Sequence, residues 1–98
     1  MFVRIHNSYR LVVAIADSDL VGKVFYEGKF QLDVKENFYK GEEKSEDELL
    51  KIMEDMVRED ATFNIVGENS IRVALEARII CEEGIKKIQG IPFALVLL

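Results

Sequence analysis

Apolar and polar side chains alternate with period two over residues 2–6, with Val3 and Ile5 on one face and Phe2, Arg4 and His6 on the other. That is the pattern of a strand with one face against a core. The polar tetrad Asn7-Ser8-Tyr9-Arg10 reads as a hairpin loop into a second strand, residues 11–16, which is apolar on both faces and is placed in the middle of its sheet. Asp17, Ser18 and Asp19 offer caps for one helical turn that Gly22 closes. Extended structure resumes over residues 23–27. Glu27-Gly28-Lys29 then turns the chain into the alternating run Phe30, Leu32, Val34, giving a second hairpin with one wet face.

The period changes to helical after Ser45. Ser45-Glu46-Asp47-Glu48 is a capping box, and Leu49, Leu50, Ile52, Met53, Met56 and Val57 form the apolar stripe of the helix it starts. Asp47 with Lys51 and Glu54 with Arg58 stand four apart, acid first, as helical ion pairs require. A second helix is expected over residues 68–79, with Ile71, Ala74, Leu75, Arg78 and Ile79 on one face. Residues 85–88 and 92–97 finish the chain as two short strands around Gly90. The last of these is apolar on both faces: Phe93, Leu95 and Leu97 point one way and Ala94, Val96 and Leu98 the other. With no charged gatekeeper it must lie centrally, beside the second strand, or pair with another copy.

These elements predict a single α+β domain over residues 1–98. A mainly antiparallel sheet is built from N-terminal hairpins plus C-terminal strands, with a two-helix segment packed on one face. Ninety-eight residues leave no room for two cores, and 49% hydrophobic with 32% charged residues is the balance of a folded globule rather than a disordered tail. The net charge of −5, with lysines scattered among acids, makes direct DNA binding unexpected. One cysteine, Cys81, and one histidine, His6, allow neither an internal disulfide nor a zinc site of the usual Cys/His type, which points to the cytoplasm. The apolar runs at 11–16 and 91–98 are too short to cross a bilayer.

Candidate chemistry is sparse. Asn64-Ile65-Val66-Gly67-Glu68-Asn69-Ser70 sets a glycine before a helix, where backbone amides converge on an anion. Glu68 already supplies a negative charge there, and no lysine follows Gly67 as a Walker loop requires. The structural reading is that Asn64 caps, Gly67 permits a tight corner and Glu68 pairs with Arg72. Phe38 and Tyr39 precede Gly41 and Glu42 in an expected loop, either anchoring it or presenting Tyr39 for recognition. The acids Glu42, Glu43, Glu46, Asp47 and Glu48 lack the alternation and glycine of a calcium loop and suit a solvated helix start. Cys81 reads as a small core residue and His6 as part of a polar strand face, not as a nucleophile and base. No GxSxG, GxGxxG or HExxH signature is present.

Phe38-Tyr39-Lys40-Gly41-Glu42, the helix after it, Asn64-Ile65-Val66-Gly67-Glu68 and the tail Gly90-Ile91-Pro92 together resemble, over essentially the whole chain, an archaeal conserved hypothetical family, domain of unknown function 424. The resemblance implies an archaeal cytosolic protein with no activity, cofactor or catalytic residue to carry over. The family tail reads Gly, Val or Ile, Pro, His, Ala, Gln; this chain has Phe93 and Leu95 at the two polar positions, so any chemistry they carry elsewhere is lacking here.

The resulting expectation is a non-catalytic binding module for a protein or ribonucleoprotein partner, with no cofactor, metal or membrane association. Its surface would draw on Tyr39, Glu42, Asn64, Gly67, Glu68 and Arg72. Two rivals stand beside it: a carboxylate enzyme or small-metabolite binder using Glu42, Glu68 and Asp33 in a cleft between helices and sheet, and a structural homodimer joined through the C-terminal strand.

Overall fold

Strand β1 (Phe2–Asn7) pairs antiparallel with β2 (Leu11–Ala16) from Phe2↔Ala16 to Asn7↔Leu11, as the alternation and the polar loop require. In the computed structural model, which describes residues 1–97, β2 is the second-face partner the hydropathy demanded: Val13, Ala14, Ile15 and Ala16 are all fully buried. The chain then makes a 3-10 turn at Ser18–Leu20 and a separate two-stranded sheet, β3 (Val24–Glu27) with β4 (Phe30–Asp33). A short helix α1 (Glu36–Tyr39) and the two-residue strand β5 (Glu42–Glu43) lead into α2 (Glu46–Arg58). The second hairpin therefore stands apart from the sheet it was expected to extend.

Ser45 and Glu48 cap α2 reciprocally, the Glu48 amide donating to Ser45 Oγ at 3.2 Å and the Ser45 amide to Glu48 Oε1 at 3.0 Å. The helix ends where Asp60 turns left-handed (φ 56°), and the amides of Asp60 and Ala61 bond the carbonyls of Val57 and Met56, a Schellman closure without glycine. Of the expected i,i+4 pairs neither forms; Arg58 reaches back three residues to Asp55 at 3.4 Å.

Asn64, Ile65 and Val66, expected to belong to a polar corner before the second helix, lie instead in the parallel strand β6 (Thr62–Val66) beside β2, in register Val12↔Thr62 to Ala16↔Val66. A β-branched and aromatic run buried on both faces is what a central parallel strand looks like. Next come α3 (Glu68–Glu76), a 3-10 turn at Glu82–Gly84, and β7 (Lys86–Ile88) hairpinned to β8 (Ile91–Val96). The six-stranded sheet runs β5-β1-β2-β6-β8-β7, so β6 separates the C-terminal strand from β2. Both ends of the chain do share this one sheet. Leu98 and its assigned face lie outside the described residues.

α3 is shorter than the expected 68–79. Arg78 is left-handed (φ 62°), and the amides of Arg78 and Ile79 bond the carbonyls of Leu75 and Ala74, a second Schellman closure. Val13, Ile15, Phe63, Ile65 and Ala94 face α2 and α3 in one core, here the helix face. Ala14, Ala16, Val66 and Ile88 face the small hairpin and α1 in another, the hairpin face. Among the described residues no helix is long and apolar enough to cross a membrane.

Candidate functional site

The polar corner is filled from within. Asp17, at the carboxyl end of β2 and only 6% exposed, receives the backbone amides of Asn69 (3.1 Å) and Ser70 (2.8 Å), the Ser70 hydroxyl (2.7 Å) and the Asn69 side-chain amide (3.2 Å). It occupies the place at the start of α3 that a bound anion would take. Gly67 makes this possible: its φ is 110°, and a Cβ there would lie 2.3 Å from Asp17 Cγ. The sequence reading missed Asp17 because it assigned that residue to its own turn, where it makes no side-chain cap.

The other expected roles at this corner change accordingly. Asn64 does not cap; it is a half-buried residue of β6, on the hairpin face between Ala14 and Leu95. Arg72 joins α3 to α2 through Glu46 and reaches Asn69 Oδ1 at 3.1 Å, leaving Glu68 aside. Glu68 borders a cavity of about 270 Å³ with Asp17, Asp19, Leu20, Asn69 and Ile91. Neither Glu42 nor Asp33 lines it, so the three carboxylates of the enzyme reading are not gathered there. Among the described residues no cluster of three or more His, Cys, Asp or Glu could hold a metal ion.

Tyr39 is 7% exposed, and burial pushes its phenol up to about 12. Phe38 stacks on His6 (centroids 4.6 Å apart) while His6 Nε2 donates to the Phe38 carbonyl at 2.8 Å, so α1 is pinned under β1 by the aromatic anchor. Cys81 is exposed rather than core, and it belongs to the β7–β8 side of the sheet whereas His6 is on β1.

Glu42 is held in β5, which pairs with β1 only at Phe2↔Glu43 and Val3↔Glu42. The short strand is anchored by Ser18 Oγ and the amino terminus on Glu43, whose carboxyl the Ser18 hydrogen bond lowers, and by Lys44 on Glu42 at 3.0 Å. Gly41 abuts β1 so closely that a Cβ would meet the Val3 carbonyl oxygen at 2.1 Å. There the chain leaves the edge. The Lys44 amide donates to the Met1 carbonyl, so Met1, Val3, Ile5 and Asn7 turn their backbone groups outward, and beyond Val3 no strand meets them. Ile5 is 46% exposed at this open half-edge, beside a cavity of about 420 Å³ lined by Ile5, Ile52, Arg4, Gly41, Glu42 and Lys44. A second open half-edge lies across the sheet, where β7 pairs with β8 only over Ile91–Phe93.

The sequence profile of the family described as "Protein of unknown function (DUF424)" matches residues 5–98. A crystal structure of an uncharacterized conserved protein from Methanopyrus kandleri superposes with a TM-score of 0.86 at 26% identity, covering 97% of this chain and 88% of that one. A comparison with curated proteins finds no match.

Proposed function

Because the chain belongs to the DUF424 family, a membership that carries no assigned activity, we propose from the geometry that it is a non-catalytic binding module. It takes an extended segment of a protein partner along the outer edge of β1, continuing the line of β5. One observation carries this reading: among the described residues no strand pairs the outward backbone groups of Ile5 and Asn7, and Ile5 borders a cavity between β1 and α2 whose lining combines Val3, Ile5 and Ile52 with Arg4, Glu42 and Lys44. An extended peptide added to such an edge gains main-chain hydrogen bonds, and side-chain pockets give it selectivity. Alternation fixes the partner's chemistry. A residue opposite Ile5 falls on the helix face against Ile5 and Ile52, while its neighbours fall on the hairpin face near Arg4, whose guanidinium donates to the Lys40 carbonyl (3.4 Å) and makes no ion pair among the described residues. Apolar and acidic residues in turn suit that arrangement. A cytosolic setting in an archaeal cell fits the single exposed thiol, Cys81.

The test is titration with a peptide of alternating valine and glutamate, read by fluorescence anisotropy. Saturable binding that Ile5→Lys weakens at least tenfold, and that Arg4→Glu also weakens, supports the reading. Binding indifferent to Ile5→Lys, or preference for a single-stranded RNA at the same edge, overturns it.

A further inference from the structure

The open half of the β8 edge has no charge of its own. The Gly67 amide donates to the Pro92 carbonyl, so Pro92, Ala94 and Val96 turn their backbone groups toward β6, and Phe93, Leu95 and Leu97 turn theirs outward. Lys86 of β7 pairs with Phe93; below it Leu95 and Leu97, 59% and 72% exposed, have no strand beside them. Flat apolar edges of this kind are left bare only at the cost of aggregation, and β7 shows the usual protection, two exposed lysines, that this half lacks.

The segment beside it has a charge at each end. Residues 78–81 and Gly84 line one cavity with Ala94, Leu95, Val96 and Leu97, the segment starting at Arg78 below α3 and reaching Glu82 and Glu83 in the 3-10 turn that precedes β7. None of these three makes an ion pair within the described residues. An antiparallel copy of a segment that is positive at its foot and negative at its head puts unlike charges opposite each other.

We propose that this half-edge docks a second copy of the chain, β8 against β8 about a two-fold axis at Val96. Directly opposed residues of antiparallel strands share a face, so the axis must pass through a residue and not between two. With Val96 on the axis, Leu95 faces the partner's Leu97 and Leu97 the partner's Leu95, and all four outward-turned residues exchange both main-chain hydrogen bonds. Their side chains form one apolar patch on the hairpin face, and the arrangement is isologous as a two-fold contact requires. In that pairing the partner's Leu97 lies opposite Leu95, in the gap below Lys86.

Sedimentation equilibrium from low micromolar to about 100 μM protomer tests this, since dimerisation follows protomer concentration. The wild type is expected to dimerise. Leu95→Lys, at an exposed position, is expected to weaken the dimer at least tenfold, and so is Arg78→Glu. Adding Glu82→Arg and Glu83→Arg to the Arg78→Glu chain recovers it. A monomer throughout the range overturns the proposal, and so does a dimer insensitive to Leu95→Lys; a charge swap that fails to recover association overturns the antiparallel alignment. Peptide binding at β1 is untouched by Leu95→Lys, so the two sites fail or stand separately.

Discussion

At the scale of single residues, the corner between β2 and α3 is decided by Asp17. One carboxylate satisfies two helix amides and two side chains, whereas the sequence pattern suggested Asn64 as the cap. Removing the carboxylate leaves the buried Ser70 amide and hydroxyl without a partner and frees the part-buried Asn69 donors, which costs on the order of 2–4 kcal/mol. Asp17→Ala is therefore expected to lower the urea midpoint sharply, with Glu68→Ala as a control that changes little; equal effects would contradict the assignment. Gly67→Ala combines a left-handed φ with a clash against Asp17, and a loss of about 3 kcal/mol or more is expected by the same measurement. Tyr39 gives a pH-dependent counterpart. Its folded-state value is raised, to about 12, so the stability it lends is whole below the ordinary phenol range, near 10, and is lost as pH climbs toward 12. Tyr39→Phe should flatten that alkaline loss, followed by thermal melts from pH 9 to 12.

The elements were legible wherever a local rule sufficed. Alternation gave β1, double-sided hydropathy gave β2, and the capping box placed the start of α2 at Ser45. The misread elements share a cause: β6 carries Asn64 in its middle and ends in a polar corner, and α3 stops at a left-handed arginine where glycine is the expected signal. The partner strand of β6 is not encoded nearby in the chain, and the closure at Arg78, though made by residues 74–79, lacks the glycine that would mark it. Arg78→Gly should relieve the left-handed strain and raise stability by about 0.5–1 kcal/mol in dilute urea melts, while weakening self-association, two effects of opposite sign at one position. The capping box supplies an acid-side prediction. Glu48 is lowered first by its bond to the Ser45 backbone, so its contribution is present above the ordinary carboxylate range and fades as pH falls through it. Ser45→Ala, expected to cost about 1 kcal/mol at neutral pH, should reduce the acid dependence of the melting temperature as well.

For the whole molecule, the arrangement of strands matters more than any residue the sequence singled out. Both auxiliary strands, β5 and β7, sit at the same end of the sheet, so the opposite end is open on both flanks, beside Ile5 and beside Leu95. Tyr39, Glu42, Asn64 and Glu68 are spread from one flank through the interior to the helix corner, and of these only Glu42 borders an open edge. That distribution depends on strand order, which no short motif records. The central claim is that the lower outer edge of β1 is a vacant strand position for an extended acidic-apolar segment, and residue-resolved amide exchange with and without the valine-glutamate peptide tests it most directly. In the free protein the Ile5 amide should exchange fast while its neighbours Arg4 and His6, bonded to β2, exchange slowly; with peptide, Ile5 and Asn7 should become protected. Protection of Ile5 already in the free chain, or protection on binding that appears at α3 or β8 and leaves Ile5 unchanged, would contradict the account.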